Sequence, residues 1–304
     1  MSRRPARSPG DPRRPYAFLT EPERTESGEV VPVATIFLTN QECPWRCLMC
    51  DLWQHALTEP VPSGAVPAQI DYALGKLPPA RQIKLYNSGS FFDPRAIPRA
   101  DHPGIARRLR TFDRVIVESH PALIGESALA FRDRLTGRLE VAMGLETVQP
   151  EVLRRLNKRM TLDRFARAAA FLRRNSIALR VFILVKPPFL DEDEALHWAK
   201  RSLDFAFDRG ATVASLIPTR LGNGALEALA ARGDFCPPKL GTLEQALDYG
   251  VSLRRGRAFA DVWDLEKFSD CAGCFAVRRE RLQQTNHTQA VQAPIQCPHC
   301  GNGG

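Results

Sequence analysis

Three cysteines within one short loop, Cys43-Pro-Trp-Arg-Cys47-Leu-Met-Cys50, offer the densest chemistry in this chain. An odd number of thiols cannot pair off as disulfides, and three are one ligand short of a closed zinc site. Three thiolates can hold three irons of a [4Fe–4S] cubane and leave the fourth iron open to a small ligand. The loop follows residues 30–38, Val-Val-Pro-Val-Ala-Thr-Ile-Phe-Leu, an apolar β-branched run that reads as a buried strand.

Four further cysteines form the pairs Cys271-Ala-Gly-Cys274 and Cys297-Pro-His-Cys300, with 22 residues between them. Four thiolates can close a tetrahedral zinc (Zn2+) site with a structural role, and the second pair has the look of a zinc knuckle. An auxiliary iron–sulfur cluster is the competing occupant. Cys236, outside both groups, reads as a plain buried thiol, and His299 as pointing to solvent.

The elements that must position these groups come from the alternation of apolar runs and amphipathic segments. After the first strand, strands are expected at 82–86, 114–117, 139–143, 178–185 and 213–217. Helices are expected at 70–77, from Pro150 to about Leu156, and over 163–175, where Phe165, Ala168, Ala169 and Leu172 share a face opposite arginines. Asp191 and Glu194 have the spacing of a capping box at another helix start. Alternating strands and helices imply a parallel sheet, and six such units fit a partial (β/α)6 barrel whose site lies at the carboxyl ends of the strands.

Polar residues gather at those ends. Ser88-Gly89-Ser90 follows the second strand, Glu118 the third, Glu146 the fourth and Lys186 the fifth. Buried carboxylates need partners such as a ribose hydroxyl, an amine or an arginine. Lys186 could meet a substrate carboxylate or phosphate, or reach a nearby helix carboxylate. The expected organisation is a disordered basic arm over 1–28, an α/β partial barrel over 29–260, and a small Cys-rich extension over 261–304.

With 304 residues and 44% hydrophobic content the chain can bury one substantial core. No apolar run is long enough to span a bilayer, so no membrane association is expected and a cytoplasmic location is. Lys and Arg number 42 against 34 acids, a net charge of +8 that suits a polyanionic partner such as RNA.

The cysteine loop after a first strand resembles the radical S-adenosylmethionine (SAM) enzymes. Further phrases, Tyr86-Asn87-Ser88-Gly89-Ser90-Phe91-Phe92-Asp93-Pro94, Val117-Glu118-Ser119-His120-Pro121, Gly144-Leu145-Glu146-Thr147 and Lys186-Pro187-Pro188-Phe189-Leu190, are similar to the radical SAM subunit of archaeosine synthase, within the class that includes Elp3 and MiaB. Met49 stands where many members carry an aromatic residue, and His120 where the third-strand phrase typically has Arg. The resemblance implies cluster ligation by Cys43, Cys47 and Cys50, and contact of Ser88, Gly89 and Ser90 with the methionine amino group of SAM. It also implies roles for Glu118 and Glu146 on SAM ribose or substrate. The reaction implied is C–N cleavage of a lysine–7-deazaguanine adduct in tRNA. A partner enzyme would supply the adduct, and flavodoxin or ferredoxin the electron. Two other readings stay open: a radical SAM enzyme acting on a small metabolite or peptide, and a non-catalytic metal-dependent RNA-binding protein.

Overall fold

A computed structural model describes residues 10–302. Among them, the main strands are Ala17–Arg24 (β1), Val30–Leu38 (β2), Gln82–Asn87 (β3), Arg114–Glu118 (β4), Arg138–Glu146 (β5), Ala178–Val185 (β6), Val213–Pro218 (β7) and Arg257–Ala260 (β8). The helices are Ala65–Leu74 (α1), His102–Arg108 (α2), Glu126–Arg132 (α3), Pro150–Arg155 (α4), Leu162–Arg174 (α5), Glu192–Asp208 (α6), Ala225–Ala230 (α7), Leu240–Ser252 (α8) and Ala272–Thr288 (α9).

The chain divides into two compact units. The first takes in residues up to 25, then 30–143 and 158–179; the second takes in 26–29, 144–157 and 180 onward. In the first, β2, β3, β4 and β5 are parallel neighbours in chain order, with Val33 opposite Gln82, Gln82 opposite Arg114 and Arg114 opposite Arg138. Their apolar residues, including Ile36, Ile83, Leu85, Val115 and Val117, are fully buried, as expected of strands covered on both faces. In the second unit β6, β7 and β8 are parallel, Arg180 facing Val213 and Val213 facing Arg257.

The disordered arm expected over 1–28 needs correction. Its first nine residues lie outside the described residues, but Ala17–Arg24 form β1, antiparallel to β2 from Ala17 opposite Phe37 to Arg24 opposite Val30. Tertiary contacts outweigh the polar composition here. Glu23 accepts from Lys84 at 2.6 Å, both side chains being buried, and Phe18 meets Tyr72 edge-on at 6.0 Å. A four-residue strand, β8, also exceeds the six strands expected; at that length it carries too little alternation to be seen. The first expected helix is displaced, starting at Ala65 rather than 70, because Gly64 turns the chain at φ 81° and donates its N–H to Asp101 at 2.7 Å. The capping box at Asp191 and Glu194, the Pro150 helix start and the amphipathic α5 are as expected.

Candidate active site and metal centre

In the first unit the cysteine loop leaves the end of β2 through Thr39 and Asn40. Asn40 is fully buried, and its amide clamps the backbone of Ser88 from both sides: Nδ2 donates to the Ser88 carbonyl at 2.9 Å and Oδ1 accepts from the Ser88 N–H at 3.0 Å. The loop after β2 is thereby tied to the turn after β3. Cys43, Cys47 and Cys50 are half-buried thiols, and the Cys50 N–H closes a tight turn onto the Cys47 carbonyl at 3.2 Å. Burial pushes the Cys50 thiol up to about 12, with the neighbouring Cys47 and Cys43 adding to the cost of a thiolate. Burial raises Cys43 as well. Three thiols whose charges oppose one another are relieved by a bound cation, so this donor set fits iron.

Gly89 has φ +109°, and a Cβ there would stand 3.3 Å from Cys43 Sγ and 3.1 Å from its Cβ, so only glycine lets the turn approach the loop this closely. Cys43, Ser88, Gly89, Ser90, Asp93 and Arg95 help line a cavity of about 150 Å³. Beside it, both ends of the fully buried Asn87 amide and the hydroxyl of Ser88 have no hydrogen-bond partner among the described residues. An unmet buried polar group costs on the order of 1–3 kcal/mol. These atoms therefore fit a polar ligand of the size and chemistry of an amino-acid moiety. Ser90, by contrast, is engaged, its hydroxyl 2.8 Å from that of Ser119. Asn40 and Asn87 escape sequence reasoning; the signal available was an amide at each of two adjacent strand ends.

Glu118 ends β4 half-buried, with Oε2 at 3.4 Å from the Asn87 N–H. Tyr16, just before β1, lies near it: its phenol is raised above the ordinary range by burial first, then by Glu118, Asp51 and Cys50. Tyr16, Phe37 and Tyr86 make a run of rings at 5.6 and 6.1 Å. His120 stacks on Trp45 of the cysteine loop at 4.0 Å and 12°. Its Nδ1 accepts from the Ala122 N–H and its Nε2 donates to the Lys158 carbonyl, both at 3.1 Å, which fixes a neutral tautomer.

Burial, helped by Lys158, lowers His120 to about 4; burial among Phe91, Phe92 and Phe131, helped by Arg134 and Arg99, does the same for His102. An unfolded chain would take up protons on both rings between pH 6.5 and 4 that the folded chain refuses. Stability is then full above pH 6.5 and falls as the pH drops toward 4, by on the order of 1–3 kcal/mol per ring. The urea midpoint should fall between pH 7 and pH 5, and His102→Leu should flatten that slope. An unchanged midpoint would exclude buried neutral rings.

In the second unit Glu146 and Lys186 end β5 and β6 in the left-handed backbone region, at φ 66° and 55°. For residues with side chains that costs on the order of 1–3 kcal/mol, which places such geometry typically at functional positions. Both are buried. Lys186 donates to Glu192 Oε2 at 2.6 Å and to Cys236 Sγ at 3.0 Å. Glu192, in the first turn of α6, is held below the usual carboxylate range by Lys186 and Thr242 against the opposing effect of its burial. Of the two uses the sequence left open for Lys186, the geometry displays the reach to a helix carboxylate. The buried thiol expected at Cys236 needs correction: it is exposed, because it sits in the loop after α7 and only its sulfur turns back to Lys186.

The carboxyl-terminal cysteines converge. The sulfurs of Cys271, Cys274, Cys297 and Cys300 all lie within 4.8 Å of one another, with Cys271 to Cys297 at 3.9 Å and Cys274 to Cys300 at 3.7 Å. The first pair flanks the start of α9; the second sits in a two-residue hairpin, Gln296–Cys297 against Gly301–Asn302. Backbone N–H groups of His299 and Cys300 lower the Cys297 thiol to about 6, the polarisation expected of a metal knuckle. His299 is exposed, as expected, and rests over Gly273, where a Cβ would come within 3.2 Å of its ring.

No family model matches the chain. In sequence it is similar to an uncharacterized protein of Methanocaldococcus jannaschii, 25% identical over 253 residues, covering 78% of this chain and 69% of that protein. It is also similar to archaeosine synthase subunit beta of Methanosarcina acetivorans, 27% identical over 233 residues (73% of this chain, 67% of the relative). The same subunit of Thermococcus kodakarensis is 28% identical over 172 residues, 54% of this chain and 53% of the relative. Among solved structures, methylornithine synthase (PylB) superposes with a TM-score of 0.58 at 12% identity, covering 85% of this chain and 70% of that one. Elp3 of Methanocaldococcus infernus does so with a TM-score of 0.54 at 13% identity, covering 76% of this chain and 59% of that one. The fold is shared with methylornithine synthase and Elp3. The α/β partial-barrel class expected from the strand order is thus borne out, and in this chain the cysteine loop follows β2, the first of the parallel strands.

Proposed function

We propose that this chain is a radical SAM enzyme of tRNA modification, acting as a C–N lyase on a lysine–7-deazaguanine adduct. The observation that carries the reaction class is the meeting of Cys43 with Gly89 beside the unpartnered side chains of Asn87 and Ser88. The substrate class is supported by similarity to the archaeosine synthase beta subunits. Cys43, Cys47 and Cys50 would hold a [4Fe–4S] cluster. When bound, that cluster supplies the electron for reductive cleavage of SAM to methionine and a 5′-deoxyadenosyl radical.

The residues present have plain tasks. Ser88, Gly89 and Ser90, with Asn87, receive the methionine end of SAM, the glycine giving the close backbone approach. Glu118 and Glu146 offer carboxylates to a ribose hydroxyl or to the ammonium of a lysine moiety. The rings of Tyr16, Phe37 and Tyr86 exclude water near Glu118. Lys186, committed to Glu192, supports the end of β6 rather than binding substrate. The four carboxyl-terminal cysteines hold zinc. A tetrahedral ion with Zn–S bonds of about 2.3 Å sets its sulfurs roughly 3.8 Å apart, near the spacing found, whereas thiolates on four separate irons stand wider. The partners are tRNA, a flavodoxin or ferredoxin, and an enzyme that forms the adduct, all in the cytoplasm.

Nucleoside profiles of tRNA from cells with and without the gene test the substrate. Loss of one deazaguanine-type nucleoside, with its lysine adduct accumulating, is the expected result. An unchanged profile would refute the tRNA assignment.

A further inference from the structure

We propose that the arginine face of α5 is the surface on which this chain docks the phosphodiester backbone of RNA. The inference rests on the tRNA reading above and adds to it the place of contact. Helix α5 buries Phe165, Ala168, Ala169 and Leu172. Every exposed residue of the helix is charged: Asp163, Arg164, Arg167, Arg173 and Arg174, with Arg159 exposed just ahead of it.

None of those five arginines forms an ion pair with a described residue. Some other arginines of the same unit are neutralised, among them Arg81 by Asp113 at 2.8 Å, Arg108 by Asp71 at 2.7 Å and Arg132 by Asp133 at 2.6 Å, and among the described residues no other helix of the unit lines up four arginines without an ion pair. Unneutralised charge on one helix raises the local potential and attracts a polyanion. The guanidinium fork matches phosphate oxygens two at a time, which an ammonium cannot do. An acidic protein partner fits less well, since the exposed face of α5 offers no large apolar anchor of the kind protein interfaces use.

The position of the helix gives the surface its meaning. The Lys158 carbonyl, four residues before α5, accepts from His120, and His120 stacks on Trp45 between Cys43 and Cys47. Arg164 is close enough to help depress the His120 ring. The cationic face therefore starts beside the cysteine loop and runs away from it, about 15 Å from Arg164 to Arg174 at the helical rise. A backbone laid along it would have one end at the loop, where a modified base would have to be delivered.

The test uses the full chain carrying Arg164→Gln, Arg167→Gln, Arg173→Gln and Arg174→Gln together, with Arg81→Gln/Arg108→Gln as the surface-charge control. Binding of a fluorescent unmodified tRNA transcript is followed by anisotropy across a salt series. We expect the quadruple variant to lose about 10-fold or more in affinity near 0.15 M salt, and its log–log salt slope to shrink by about 2–3, as each lost phosphate contact removes about 0.7–0.9. The control should keep the wild-type slope, and 5′-deoxyadenosine formation without RNA should be the same in all three proteins. A quadruple variant that binds tRNA with the wild-type slope overturns this inference and leaves the tRNA reading standing. A wild-type chain that ignores tRNA at low salt overturns both. Retention of polyglutamate but not tRNA by the arginine face would assign it to an acidic protein and overturn the inference alone.

Discussion

Cys47→Ala should reduce iron in the anaerobically reconstituted protein from about four per chain to a small residue. With it, 5′-deoxyadenosine formation under dithionite should fall at least 100-fold, roughly beyond the 10–100-fold that loss of an outer-shell partner costs at a metal site. The reason is arithmetic: three thiolates are the smallest set that leaves one iron of a cubane open, and two cannot hold the cluster in place. The apoprotein should unfold at nearly the wild-type temperature, because Cys47 is only half-buried. Cys236→Ala serves as the control, since that sulfur accepts from Lys186 and lies outside both cysteine groups. A Cys47→Ala protein that keeps four irons and cleaves SAM would remove the cysteine loop from the mechanism and with it the proposed reaction class.

The second large effect belongs to the carboxyl-terminal sulfurs. Cys297→Ser should abolish the single zinc expected in the as-isolated protein while leaving the iron of the first unit unchanged. Zinc binding and local folding are one event where the site does not exist without the ion. Hydrogen exchange should therefore accelerate over residues 290–302 and the first turn of α9, and remain slow in α8 and β8. About eight irons and no zinc in the wild-type protein would instead establish an auxiliary cluster and overturn the zinc assignment.

How far these sites were legible in the sequence depends on what kind of signal each one needs. The cysteine groups announce themselves, because thiols at short spacings have few physical uses. Buried parallel strands do so too: residues 178–185 are apolar almost throughout and fold as β6. β1 was hidden because its residues, Ala-Phe-Leu-Thr-Glu-Pro-Glu-Arg, have the composition of a tail; only the ladder to β2 and the buried pairing of Glu23 with Lys84 make them a strand. Glu118, Glu146 and Lys186 stand at strand ends, as the strand pattern implies, but their partners are not legible in the sequence. Nothing local to Lys186 specifies that Glu192 will take its ammonium, and nothing local to Asn40 says that it will clasp Ser88 across 48 residues of chain. Nothing in the sequence singles out Asn87, since an unmet amide is visible only once everything around it has been placed.

The first strand has a consequence for how this molecule keeps company with its own copies. Among the described residues β1 is the outermost strand of its sheet, and an outermost strand with free N–H and C=O groups is a template on which a second chain can add itself. Pro22 removes one donor from the middle of that row, and Glu21 and Arg24 place charge on either side of it. The strand that completes the sheet is thus also built to end it, which guards the chain against edge-to-edge aggregation.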